Sequence, residues 1–297
     1  MSIGDWLRLA LLSLLWGGSF FFVQVAVPYL PAFTIVLIRV GLGALVLAVL
    51  LPLLRIPFPR GAQAWAALAV MGFLNNAVPF TLFVVAQGQI SSGLASILNA
   101  TTPLWSVVVA HLALSDERMT PAKALGVVIG FAGVAVMMGA ALGEGTIWAQ
   151  AACIGAAFSY AVSSVWGRRF RAMGMAPLST SFGQVAMSSL MMLPLVLVID
   201  RPWALPMPGL EVILALVGLA VLSTALAYWL YFGLISSAGA VNASLVTFLI
   251  PVSAIALGVL VLGEVLLPRH VAGMALIGLG LAAIDGRLWR RLRRGAA

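Results

Sequence analysis

Charge is what this chain has least of. Asp, Glu, Lys and Arg together make up 8% of its 297 residues, while 63% are hydrophobic. An ordinary soluble domain is about 25% charged and about 45–50% apolar, so a water-soluble fold of this length would lack the side chains to cover its own surface. That excludes a secreted enzyme, a disordered chain and a nucleic-acid-binding module. Cysteine is limited to Cys153, which excludes an intrachain disulfide and a thiolate metal site. The two histidines, His111 and His270, stand far apart and offer no metal-ligand spacing. No metal or other cofactor is expected. An integral-membrane enzyme would need a clustered nucleophile, metal ligands or paired carboxylates, and the sequence contains no such pattern.

What fills the chain instead is a series of long apolar runs. A helical span needs about 20 apolar residues. Runs separated by short, turn-rich breaks put ten spans near 6–27, 31–52, 62–85, 91–112, 120–140, 147–168, 177–199, 210–232, 239–262 and 268–288. The expected fold class is all-α integral membrane with ten transmembrane helices. The first run, from about Trp6 to Val27, is too long for the apolar region of a cleavable signal peptide. Breaks such as Pro28 to Pro31, Ile56 to Pro59 and Gly143-Glu144-Gly145 are short enough to make neighbouring spans antiparallel.

The charges that do occur punctuate these runs. With the N-terminus inside, the internal segments hold Arg8, Arg55, Arg60, Arg118, Lys123, Arg168, Arg169, Arg171, Arg287, Arg290, Arg291, Arg293 and Arg294. The external loops hold only Arg201 and Arg269, and Arg39 falls inside span 2. This positive-inside bias predicts a multi-pass protein of the cell (inner) membrane with both termini cytoplasmic. The net charge of +8 therefore serves topology, and the arginine-rich tail reads as an anchor to anionic lipid head groups. The expected partners are the bilayer and a small-molecule substrate, with no nucleic acid and no obligate protein partner evident.

The two halves repeat. Pro103 matches Pro251 and Asn99 matches Thr247; one residue of slippage later, Glu117 matches Glu264, Pro121 matches Pro268, Gly126 matches Gly273 and Gly133 matches Gly280. Upstream, Gly72 matches Gly218 and Arg39 falls opposite Gln184. Residues 1–143 and 144–297 thus form two repeats of five spans. Because five is odd, the second repeat enters the membrane from the opposite side, an inverted arrangement typical of secondary transporters that work by alternating access.

Several stretches resemble the EamA family of the drug/metabolite transporter superfamily. Leu15-Trp16-Gly17-Gly18-Ser19-Phe20 resembles its opening signature, Arg39 its first-repeat arginine, and Leu262-Gly263-Glu264 with Gly273 and Gly280 its closing pattern. Ser115-Asp116-Glu117 is a weaker copy, with Ser115 where a glycine is expected. The resemblance covers essentially the whole chain. It implies ten helices with cytoplasmic termini and export of amino acids or other small metabolites, in closest likeness to the bacterial amino-acid exporters, the aromatic branch included. A proton-coupled multidrug or other metabolite exporter is the alternative.

No Asp or Glu lies in the middle of a span, whereas proton-driven pumps carry an intramembrane carboxylate or histidine. The small four-helix pumps of the superfamily place a glutamate in their first helix, and span 1 here has none. Facilitated diffusion or exchange is expected instead, with a protonatable substrate still able to carry its own proton. Arg39, about 12 Å into span 2 at 1.5 Å per residue, reads either as an anchor for a substrate carboxylate or, the favoured reading, as a structural arginine bonded to helix-end carbonyls or an end-of-span glutamate. Pro103 and Pro251 free the carbonyls of Asn99 and Thr247, and Pro79 frees that of Asn75, beside Asn76. Such carbonyls must find a donor or face a wet cavity. Trp16 and Tyr160, near the centres of mated spans, supply aromatic walls, and Thr224 a hydroxyl. Tyr228, Trp229 and Tyr231 fit an interfacial belt. Glu117 and Glu264 read as structural or gating residues able to cap spans 5 and 10.

Overall fold

The computed structural model describes residues 2–115, 118–138, 147–243 and 245–285. Glu117, the 143/144 boundary, the Gly143-Glu144-Gly145 break and the arginine tail lie outside the described residues. Within them ten helical spans follow one another: α1 Ile3–Ala26, α2 Ala32–Leu53, α3 Ala62–Gln87, α4 Ser92–Ala113, α5 Pro121–Met138, α6 Ile147–Ala172, α7 Pro177–Asp200, α8 Leu210–Ala238, α9 in two pieces (Ala240–Ala243 and Val246–Leu262) and α10 Pro268–Asp285. Six of these, α1 to α4, α7 and α8, are long and apolar enough to cross a membrane by length and composition alone. α5, α9 and α10 are shorter apolar helices. α6 is the polar one, because it buries Gln150, Ser159 and Ser163 against its neighbours.

Helix starts follow local chemistry. α1 begins ahead of its apolar run because Ser2 and Asp5 form a reciprocal cap. The Asp5 amide donates to the Ser2 hydroxyl at 3.1 Å, and the Ser2 amide donates to the Asp5 carboxylate at 2.9 Å. Distant carboxylates cap two other helices. Asp200, at the end of α7, accepts from the Thr34 amide at 2.7 Å and its hydroxyl at 2.8 Å, at the start of α2. Glu264, after α9, accepts from the amides of Ser92 and Gly93 at 2.8 and 3.1 Å. Glu264 therefore caps α4, not α10 as its sequence position suggested. The α9–α10 turn folds back so that the carboxylate meets the free amides and positive dipole end of a helix from the other repeat. A side chain at Gly258 would collide with that carboxylate. Glu264→Ala leaves two amides without their acceptor, an expected cost of about 1–2 kcal/mol. Thermal unfolding in detergent should show the midpoint falling by a few degrees.

The packing comes in mated pairs. α1 lies on α9 as α6 lies on α4; α3 meets α6 as α8 meets α1; α3 meets α7 as α8 meets α2. α2 with α7 and α5 with α10 pair with their own mates. Exchanging the first five helices with the last five leaves this list unchanged, which is what a twofold axis between repeats requires. The mates run antiparallel: Gly126 packs on Gly280 and Ile284, while Gly133 packs on Gly273 and Ile277. Glycines let these two backbones touch, the usual means of joining helices in lipid.

Two mated pairs of the helices about the centre are irregular. α3 widens into a π-helical turn at Phe73–Ala77, and its mate α8 does so at Val221–Leu226. α4 breaks after Asn99 and restarts at Thr102, and α9 restarts at Val246. Non-helical backbone at this depth survives only if protein or a cavity satisfies it. Here Ser159, Ser188 and Trp166 donate to the carbonyls of Leu74, Gly72 and Ala67 at 2.6, 2.9 and 3.0 Å.

Candidate functional site

The irregular turns surround a cavity of about 290 Å³. Its walls come from α1, α2, α3, α4, α6, α8 and α9, and none of its lining residues belongs to α5, α7 or α10. Trp16, Phe20 and Val23 project from α1, Phe83, Val84 and Gln87 from α3, and Tyr228 and Tyr231 from α8. Asn99 and Thr102 flank the break in α4, Thr247 and Ile250 come from α9, and Tyr160 from the middle of α6. Mated helices therefore supply mated walls, so the cavity lies between the repeats.

Arg39 is the charged member of the lining. Its Nε donates to the Thr224 hydroxyl at 3.2 Å, and that hydroxyl donates onward to the Leu219 carbonyl at 2.9 Å, opened by the π turn. The guanidinium carbon sits 3.5 Å from the centre of the Phe80 ring, a cation–π contact. These partners differ from the helix-end carbonyls or end-of-span glutamate expected of a structural arginine. Among the described residues the one ion pair is Arg8 with Asp5, at 3.9 Å, and no carboxylate reaches Arg39. Glu264, an end-of-span glutamate, is held at the start of α4.

A neutral network lies beside it. Asn75, in the π turn of α3, donates to Gln184 Oε1 at 3.0 Å and accepts from Ser163 at 2.9 Å. Asn75 and Asn76 both reach the Tyr228 hydroxyl, at 3.5 and 3.4 Å. Gln184, opposite Arg39 in the repeat, thus holds an asparagine rather than a charge. Among the described residues two buried lining atoms have no hydrogen-bond partner: Gln87 Oε1 and the Ser223 hydroxyl oxygen. Gln87 is held in place through its amide, which donates to the Phe20 carbonyl at 2.8 Å and to Gln24 Oε1 at 3.1 Å.

Of the residues singled out from sequence, Trp16, Arg39, Asn75, Asn99, Tyr160, Thr224 and Thr247 line the cavity. Asn76, Pro103 and Pro251 stand behind it; Asn76 is fully buried against Tyr228. Pro103 lies in the first turn of the restarted α4, where a missing amide costs nothing. The freed carbonyl of Asn99 does not face the cavity unmet, because the Thr102 hydroxyl donates to it at 2.7 Å. Tyr228 and Tyr231 are not interfacial. They point inward one turn apart, Tyr231 at 5.1 Å from the Trp16 ring, while Trp229 between them is exposed. The i, i+3 spacing could have found them. Gln87, Ser223 and Phe80 carried no local signal.

A family model described as the EamA-like transporter family matches residues 5–139 and again 147–284. The chain belongs to the EamA-like transporter family. The double match coincides with the two sets of five helices. Among relatives of this EamA-like transporter, the uncharacterized transporter YvbV of Bacillus subtilis (strain 168) is 28% identical over 288 residues, covering 94% of this chain and 90% of that protein. The uncharacterized inner membrane transporter YedA of Escherichia coli (strain K12) is 26% identical over 257 residues, covering 86% of this chain and 82% of that one. A solved crystal structure, 19% identical, superposes with a TM-score of 0.68 over 96% of this chain and 98% of that chain, a likeness of fold alone. This EamA-like transporter is a multi-pass membrane protein of transporter type.

Proposed function

We propose that this chain is a secondary transporter that exports amino acids or related small carboxylated metabolites across the cytoplasmic membrane by alternating access. The supporting observation is Arg39: a cation lining the cavity between the repeats, bonded there to a hydroxyl and a ring rather than to an acid. A guanidinium fork matches a carboxylate in a bidentate fashion, and the aromatic walls take the apolar remainder of the molecule. At about 290 Å³ the space is at the small end of ligand sites, roughly 300–1,000 Å³, which suits a single-ring or short-chain metabolite.

Arg39 positions and neutralises the carboxylate. Asn99 and Thr102, beside the break in α4, offer polar contacts to the rest of the substrate, and Trp16, Tyr160 and Tyr231 close around its body. The transport step is a rocking of one set of helices against the other about this point, with the α1–α9 and α6–α4 contacts exchanging roles. A proton-coupled multidrug mechanism would want an acid or histidine on the cavity wall, and the lining residues include neither. The direct test is flux of radiolabelled amino acids and related acids in proteoliposomes. Asn99→Ala and Tyr160→Ala should each lower flux about tenfold, as expected for removing one polar or aromatic contact of about 1.4 kcal/mol, with the elution profile of the purified protein unchanged. Wild-type kinetics in both variants would remove these residues from the site, and no flux of any acid above empty vesicles would end the substrate claim.

A further inference from the structure

The charge balance of the cavity carries the proposal one step further, to the charge of the cargo and the force that drives it; the step rests on the transport site proposed above. Among the described residues the lining contributes one formal charge, the Arg39 cation, and no Asp, Glu, Lys or His. The only hydrogen bond that Arg39 makes among the described residues uses Nε, so the two terminal amino groups of the guanidinium retain their donors for a ligand. Among the described residues two further buried lining groups have no hydrogen-bond partner: the Ser223 hydroxyl, next to Thr224, which can donate to a carboxylate, and Gln87 Oε1, an acceptor, which adds nothing to a carboxylate's compensation. The site can therefore compensate a carboxylate fully. It cannot do the same for an α-ammonium group, which would enter a cavity that already carries +1 and meet only neutral acceptors. Burying an uncompensated ion in such surroundings is strongly unfavourable.

We infer that the preferred cargo is a small monoanionic carboxylic acid with an apolar or aromatic body and no α-ammonium, and that its export is electrogenic. Binding makes the site neutral, and each cycle moves one negative charge from the cytoplasm outward. A membrane potential negative inside favours that movement directly. No proton-binding residue is then needed, which agrees with a cavity wall lacking acids and histidines. Energy coupling resides in the charge of the substrate rather than in a titrating side chain.

The test uses the purified full chain in proteoliposomes and two probes with the same carbon skeleton, phenylpyruvate and phenylalanine. A potassium gradient with valinomycin sets the membrane potential. The expected result is phenylpyruvate flux at least tenfold above phenylalanine flux, rising when the potential drives anions in the measured direction and falling when its sign is reversed. Arg39→Gln should remove that flux, and Arg39→Lys, which keeps the charge but not the fork, should restore part of it with the same voltage dependence. Intrinsic tryptophan fluorescence during thermal unfolding shows that each variant is folded. Phenylalanine flux equal to or above that of phenylpyruvate, or phenylpyruvate flux indifferent to potential, would overturn the inference while leaving the transport site standing. No Arg39-dependent flux of either probe, in a preparation shown to be folded, would overturn both.

Discussion

Arg39→Gln is expected to reduce transport about thirtyfold or more without lowering the thermal stability of the empty protein. The two halves of that result have different causes. Removing one partner of a buried, hydrogen-bonded charge pair costs about 2–5 kcal/mol, and each 1.4 kcal/mol is tenfold, so loss of the carboxylate contact alone accounts for the transport defect. In the empty protein the charge has no acidic partner among the described residues, only the Thr224 hydroxyl and the Phe80 ring. A neutral amide there relieves the desolvation of the cation and gives up two modest contacts. A structural arginine would behave otherwise, losing stability and transport together. Flux in proteoliposomes, set beside the unfolding midpoint in detergent, separates the two roles.

The second large effect concerns the joint between the repeats. Gly133→Leu is expected to abolish recovery of monodisperse protein, whereas Gly278→Leu leaves it unchanged. A Cβ on Gly133 would lie 2.7 Å from the Gly273 carbonyl and 2.9 Å from the Leu276 side chain. These are backbone and near-backbone atoms with no room to yield, so α5 and α10 must separate and lose the close packing that joins helices in lipid. Gly278, on the same α10, meets nothing within 4 Å and has space for a side chain. Size-exclusion chromatography of the two detergent-solubilised variants checks the contrast. If both behaved as wild type, the α5–α10 contact would not be holding the repeats together.

The ten spans and their doubling were legible because lipid imposes a simple rule on sequence: apolar runs of fixed length, broken by turn formers and flanked by arginine. Most helix ends fell within about four residues of the sequence reading, α1 starting early on its Ser2–Asp5 cap, while α8 runs six residues past the expected 232 to Ala238. The cavity wall was readable where a polar or aromatic side chain stands alone in an apolar run, as with Trp16, Asn75, Asn99 and Tyr160. It was unreadable where the neighbour decides the role. Glu264 looks like a cap for the helix that follows it, and only the three-dimensional turn shows it reaching Ser92 and Gly93. Tyr228 and Tyr231 looked like a belt because composition alone does not say which face of α8 turns inward. The π turns in α3 and α8 leave no signature that helical periodicity reports, yet they carry Asn75 and Thr224 into the site. Arg39 shows the converse: its type was conspicuous and its partners were not.

Alternating access requires that the cavity between the repeats open to each side of the membrane in turn. Asn99→Cys in a Cys153→Ala background places a single thiol on its wall, the native cysteine being fully buried. Labelling by a charged, membrane-impermeant methanethiosulfonate reagent in right-side-out and inside-out vesicles reads its exposure from each face. The predicted result is labelling from both faces, slowed from either one by phenylpyruvate or by another acid that the protein is shown to carry. Labelling from one face only, unchanged by any transported acid, would contradict alternating access at this site.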